Sequence, residues 1–238
     1  MANDLITVSS VNSNAMWQAG GTALKTLSVA PSTTGALLVL ATTAGSNTAS
    51  TAVSGGGCSA SGSGLPGAWQ LVAGPFSSNV PWKLELWMGV VNTTGASTIT
   101  ITNTSSGTNR LNCKEFLAGG PGTTWSQDGA GGTKQNATSA TVTYPTLTPS
   151  GENRLYAGFG VNGTGLTTGA TPSGTIVELD PGTNPYLYNP DVANSAQSPT
   201  SNQSASAVSY TIGALIKADN PVRQPLPYRA RLVRASHW

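Results

Sequence analysis

Ser97-Thr98-Ile99-Thr100-Ile101-Thr102 alternates small hydroxyl residues with isoleucine. A period of two puts both isoleucines on one face of an extended strand and the threonines on the other. β-branched residues suit that conformation and disfavour a helix. The stretch therefore predicts a strand with an apolar inner face and a hydroxyl-bearing outer one. Comparable runs recur along the chain: Leu5–Ser9, Leu24–Val29, Ala36–Thr42, Thr51–Ser54, Trp69–Ala73, Leu84–Val91 and Leu111–Leu117 in the first half. The second half adds Ala140–Tyr144, Leu155–Val161, Thr175–Glu178 and Ser206–Ile216, the last with Gly213 as an expected bulge. With 29 Gly and 15 Pro between and within these runs, little of the chain can be helical. The class is all-β, in one unit of a size that sandwiches and barrels commonly reach, about 200–250 residues.

Turn chemistry fills in the connections. Asn92-Thr93-Thr94-Gly95 lies between two strong strand patterns, and its glycine can take the positive φ of a short loop, which predicts a β-hairpin of Leu84–Val91 with Ser97–Thr102. Ala30-Pro31-Ser32, followed by Gly35 and a strand, is echoed by Thr148-Pro149-Ser150-Gly151 and a strand. That echo fits either two similar strand pairs or one turn grammar used twice. Gly55-Gly56-Gly57 and Gly129–Gly132 lack the strand-to-helix setting and the Lys-Ser/Thr of a phosphate cradle and read as flexible loops. Gly119–Thr138 and Pro181–Ser204 read as long loops. They carry Trp125, Tyr186 and Tyr188, and large aromatics in polar loops are candidates for an interface or for stacking on a glycan, as is Trp17.

Charge limits the chemistry. Asp, Glu, Lys and Arg make up 8% of the residues, against about a quarter in an ordinary domain, and the single histidine is His237. A Ser-His-Asp site would rest on that penultimate residue. A glycosidase needs two carboxylates in one cleft. The candidates are Glu85, Glu115, Asp128, Glu152, Glu178, Asp180 and Asp191, of which Glu178 and Asp180 share a strand face but lead into the turn at Pro181-Gly182. No catalytic residue, metal ligand or cofactor is expected. Cys58 and Cys113 are too few for a zinc site. Either they form a disulfide, or they are reduced and buried.

The charge is also segregated. Lys217, Arg223, Arg229, Arg231 and Arg234 stand against Asp219, a net +4, while the preceding 216 residues carry a net −2. Residues 1–216 read as the β body, with 1–20 a candidate arm, and 217–238 as a basic Pro/Arg-rich arm. Pro221, Pro225 and Pro227 favour an extended chain that docks on a neighbour through Arg223, Pro225, Pro227, Tyr228, Arg229, Arg231, Arg234 and Trp238. Those bases are too sparse for a nucleic-acid arm. The opening MANDLITVSS has neither the basic nor the apolar stretch of a secretory leader, and no apolar run approaches the roughly 20 residues of a membrane span.

A resemblance adds to this. Trp69-Gln70-Leu71-Val72, Trp82–Val91, Ser97–Thr102 and Glu115-Phe116-Leu117-Ala118-Gly119, preceded by Gly35-Ala36-Leu37-Leu38-Val39-Leu40-Ala41, resemble the strand pattern of jelly-roll virion accessory proteins of bacteriophages, such as actinobacteriophage minor tail proteins. In the last of these segments Ala36 replaces the acid of the family pattern. The resemblance spans residues 24–217 through short, degenerate elements and brings no catalytic residues. It implies a jelly-roll-like two-sheet β-sandwich with long loops and an extended C-terminal arm. It also implies a non-enzymatic virion structural protein, made in the host cytoplasm and exposed on the particle as a minor tail (tail-tip) protein. Its partners would be other virion proteins, namely tail or major capsid subunits, and further copies of itself, with no nucleic acid and no membrane insertion. The alternatives are capsid decoration on the head and a module binding host cell-surface carbohydrate.

Overall fold

The structure is a computed structural model and describes residues 6–18, 24–45, 49–58, 69–77, 82–103, 109–118, 123–162, 166–167, 175–179, 185–192 and 194–219. They form fifteen strands and, among the described residues, no helix. The strands are β1 (Ile6–Gln18), β2 (Leu24–Val29), β3 (Leu37–Gly45), β4 (Ser50–Gly55), β5 (Trp69–Ser77), β6 (Trp82–Val90), β7 (Ser97–Asn103), β8 (Asn109–Ala118), β9 (Thr124–Gln127), β10 (Gly132–Thr143), β11 (Arg154–Asn162), β12 (Leu166–Thr167), β13 (Ile176–Leu179), β14 (Pro185–Val192) and β15 (Thr200–Asp219). The protein is all-β, with antiparallel sheets packed face to face, as the sequence predicts.

A five-stranded sheet runs β1-β8-β3-β6-β5 and a three-stranded sheet runs β2-β7-β4. In these two sheets the pairing is nested: β1 pairs β8, β2 pairs β7 and β3 pairs β6. A third sheet goes beyond the two expected. Its path is β10-β15-β11-β14-β13, and β9 and β12 also pair with β15.

The five-stranded sheet is the middle layer. Leu37, Val39 and Ala41 of β3 point into a core shared with Leu155, Phe159, Tyr186, Ile212 and Ile216 of the third sheet. Leu38 and Leu40 point the other way, onto Leu27, Ile99 and Ile101 of the three-stranded sheet. A strand covered on both faces cannot alternate apolar and polar residues, which is why Ala36–Ala41 reads as one continuous apolar run. β7 covers one face only, so Ile99 and Ile101 are fully buried while Thr98 is exposed.

The expected hairpin at Asn92–Gly95 is not formed. β6 already has β3 on one edge and β5 on the other, leaving no edge for β7, which pairs β2 and β4. The connection instead crosses between sheets, tied down by Asn92 N–H and Thr93 N–H to Gly57 O and Gly95 N–H to Pro31 O. Gly55, Gly56 and Gly57 are not a slack loop either. All three take positive φ (79°, 71°, 75°), and Gly55 O accepts the indole N–H of Trp69 at 3.1 Å. The turn takes glycine at all three positions because L side chains rarely adopt that backbone region.

Both expected long loops contain strands, β9 and the start of β10 in one and β14 with the start of β15 in the other. Gly213 is no bulge. It pairs in regular register with Gly132 and Gly158, forming a row of glycines across three strands. The row is a trough for the segment after β10: a Cβ on Gly132 would meet Pro145, and one on Gly158 would meet Tyr144. Tyr144, Tyr156, Leu187 and Leu215 form a small core there, on the outer face of the third sheet.

Candidate functional site

The aromatic candidates lie inside. Trp125 is 2% exposed, Tyr186 0% and Tyr188 3%. Each bolts the third sheet to the middle one. The Trp125 indole donates to Gly35 O at 2.8 Å, and the Tyr186 hydroxyl donates to Val39 O at 3.4 Å. Tyr188 packs edge-on against Phe116, with centroids 5.5 Å apart, beneath the ammonium of Lys114. The expectation that these three contact a glycan or partner is overturned: their strands are short and set among Gly and Pro, so they resemble loops in sequence, but β9 and β14 belong to the third sheet and turn these side chains into the core. Trp17 belongs to β1, and its side chain is outside the described residues. The arm residues Arg223, Pro225, Pro227, Tyr228, Arg229, Arg231, Arg234 and Trp238 also lie outside them, whereas β15 carries Lys217 and Asp219, paired at 3.0 Å.

Cys58 and Cys113 are free and buried, so the disulfide alternative is overturned. The Cys58 sulfur sits over Gly89, which is registered with Leu38, while Cys113 is registered with Leu40 on the far side of β3. Gly89 and Cys113 thus stand two strand spacings apart, about 10 Å, which keeps the Cys58 sulfur over Gly89 apart from Cys113. Burial pushes the Cys58 thiol up to about 12, and burial chiefly, with Cys58 and Glu115 nearby, raises Cys113 further.

Among the described residues the buried carboxylates, Glu85, Glu115 and Asp128, are all engaged. Glu115 accepts the Ser32 N–H at 2.9 Å, the Ser32 hydroxyl and the Thr33 N–H. Glu85 accepts the Ser50 N–H at 2.7 Å and the Trp87 indole at 3.1 Å. These two glutamates face the three-stranded sheet and fasten segments next to it. They flank β3 at Leu38 and Thr42, so they stand four residues apart along the strand and two strands apart across it. That is about 13 Å by 10 Å, against the roughly 5–10 Å of a glycosidase pair. Asp128 accepts Ser150 N–H at 2.9 Å and Ser150 Oγ–H at 2.5 Å, and forms a buried ion pair with Arg154 at 2.9 Å. Burial works against its ionisation, yet the Ser150 bonds and the guanidinium outweigh it and hold the carboxyl below its ordinary value. The echoed Pro-Ser turns are thus one grammar used twice: a serine gives both its N–H and its O–H to a buried carboxylate, Ser32 to Glu115 and Ser150 to Asp128. Side chains of Glu178 and Asp180 lie outside the described residues.

What the protein presents outward is a tongue of two strands. Asn136 donates through Nδ2 to Thr143 O at 2.9 Å, and its Oδ1 accepts Thr143 N–H at 3.3 Å. Seven residues of straight strand would span about 23 Å, so β10 doubles back between them. β15 follows it, since Asn136 pairs with Ser209 and Thr143 with Thr200. At the base the Thr211 hydroxyl donates to Thr143 O at 2.9 Å, and near the tip the Gln203 amide braces Ala207 O at 2.7 Å and Ser139 O. Ala137, Thr138, Ala140 and Thr141 are exposed on one strand and Asn202, Ser204, Ala205, Ser206 and Val208 on the other. Neither Asn136–Thr143 nor Thr200–Ser209 contains a charged or aromatic residue. Sequence reading missed this surface because register shifts at Asn136, Ser139 and Thr141 break the alternation that marks a strand. The absence of charge from Gln135 to Gly151 was the available signal.

Among the described residues no group of three His, Cys, Asp or Glu side chains is placed to hold a metal ion. No family model, curated protein or solved structure matches the chain.

Proposed function

We propose that the chain is a non-enzymatic structural subunit of a bacteriophage particle, a minor tail protein at the tail tip that assembles with other virion subunits and is exposed on the particle. The observation that carries this reading is the nested pairing of β1 with β8, β2 with β7 and β3 with β6. Such nesting supports a jelly roll over residues 6–118, and the segments resembling phage accessory proteins fall in β3, β5, β6, β7 and β8. The use of ionisable groups supports it as well. Glu85, Glu115 and Asp128 are engaged in holding turns, and the outward tongue is built of hydroxyls, amides and small side chains. A surface of that kind forms many hydrogen bonds at an interface without burying unpaired ions.

Labelling this chain on intact particles and imaging them by electron microscopy tests the reading. Label at the tail tip is expected. Label on the head would make the chain a capsid decoration protein, and particles without label would end the virion reading. The carbohydrate-binding alternative loses three of its four stacking residues, because Trp125, Tyr186 and Tyr188 are interior, and keeps Trp17.

A further inference from the structure

We propose that the tongue of β10 and β15 joins two copies of this chain edge to edge, as an antiparallel pairing of Ala137–Ala140 with the same residues of a second copy. β10 is the outermost strand of its sheet, with nothing paired on its far side among the described residues. Within the tongue Ala137, Thr138 and Ala140 have no registered partner on β15. An edge strand with unpaired backbone groups is a template for another strand, and proteins ordinarily blunt it with charge or proline. This edge has neither from Gln135 to Thr143. The tongue's inner face buries Asn136, Val142, Ser201 and Gln203, while a two-stranded ribbon this short is marginal by itself. Here it is held out from the body by the Asn136 and Thr211 bonds at its base.

The chemistry selects the occupant. A nucleic acid would require cations that the tongue lacks, and a sugar platform would require an aromatic face it also lacks. The chain's own basic C-terminal segment finds no acid on it, and Pro221, Pro225 and Pro227 cannot donate to a strand ladder. A second copy fits. Across a two-fold axis the edge meets a copy of itself, so like charges near the centre would be brought close together and an uncharged edge pairs with itself without repulsion. Centred between Thr138 and Ser139, the pairing places Ala137 opposite Ala140 and Thr138 opposite Ser139, small residues that let two backbones approach. Lys134, the charge nearest in sequence, lies outside the paired residues. This inference does not rest on the virion reading, because self-association of the purified chain needs no particle.

Sedimentation velocity of the full chain over micromolar to several hundred micromolar concentration is the test. The wild type is expected to pass from monomer to dimer, with amide hydrogen exchange at residues 137–140 slowing as the dimer fills. The double variant Ala137→Lys/Ala140→Lys sets ammonium groups opposite one another on one face of the pairing and is expected to weaken the dimer at least tenfold while leaving the thermal midpoint unchanged, since Ala137 and Ala140 are exposed. Mixing Ala137→Lys/Ala140→Lys with Ala137→Glu/Ala140→Glu should restore a one-to-one dimer. A wild type that stays monomeric throughout overturns the proposal. So does an Ala137→Lys/Ala140→Lys chain that dimerises as tightly as wild type, or exchange at residues 137–140 that is indifferent to concentration.

Discussion

Tyr156 lies across Gly213, its hydroxyl oxygen 2.5 Å from where a Cβ on that glycine would stand, and the same hydroxyl donates to Pro145 O at 2.7 Å. The tyrosine fills the space that the glycine leaves open and reaches past it to hold the segment that closes the outer core.

Gly213→Ala therefore overpacks the site and should cost about 1–3 kcal/mol. Tyr156→Phe removes one buried hydrogen bond and should cost about 1 kcal/mol. In the double variant the oxygen that collides with the new methyl is gone, so its loss should be smaller than the sum. Urea unfolding of the four proteins measures this, and strict additivity would show that the two residues do not compete for one space.

Asp128 makes stability depend on acid. Its folded carboxyl sits below the ordinary 3.8, so the stabilisation it gives is complete above that value and disappears as pH falls through the lower, folded one. Asp128→Asn should flatten the stability profile below pH 4. At neutral pH it should cost about 3 kcal/mol by leaving the Arg154 guanidinium buried without its carboxylate. Thermal unfolding from pH 2 to 7 tests both, and identical acid limbs in the two proteins would contradict the assignment.

Trp125→Ala should destabilise by about 3–5 kcal/mol, because a buried indole is replaced by a cavity. Trp125→Phe keeps most of the volume but orphans Gly35 O, for about 1–3 kcal/mol. Chemical denaturation ranks the two. Any ligand binding lost in Trp125→Ala must be compared with Trp125→Phe, since unfolding alone would abolish it.

Neither thiol should react with a disulfide reagent at pH 8 in the folded protein, because burial holds both protonated and out of reach. Both should react at once in denaturant. A rapid folded-state reaction of one equivalent would mean that the seam between the three-stranded and five-stranded sheets opens readily.

Glu115→Gln turns one acceptor into a donor facing the donors of Ser32 and Thr33. Amide exchange at those two residues should accelerate while that of β3 stays slow, as read by nuclear magnetic resonance. Unchanged exchange at Ser32 would remove the carboxylate from its holding role.

The strands were largely legible because hydrophobic patterning acts residue by residue. Ile99 and Ile101 point inward as their alternation requires, and the unbroken Leu37–Ala41 run belongs to a strand sandwiched on both sides. Partner choice was less legible. The turn at Asn92–Gly95 has hairpin chemistry, but whether β7 can join β6 depends on β5, which had already taken that edge. Tyr186 and Tyr188 were misread because Pro185 and Pro190 bracket them, and proline is compatible with a strand at its first residue or an irregular position, which composition cannot distinguish from a loop. The fastening of Ser32 and Ser150 by carboxylates 83 and 22 residues away left only a repeated Pro-Ser in the chain.

The uncharged tongue also governs how quickly it meets a partner. Its strands cast no field beyond the Debye length, about 8 Å in physiological salt, so every encounter begins as an unguided collision. Without electrostatic steering, capture is held to about 10⁵–10⁶ per molar per second, and orientation becomes the slow step. Recognition at this surface is consequently a matter of repeated trial and of how long a fitted complex lasts, with ionic strength having almost no grip on either.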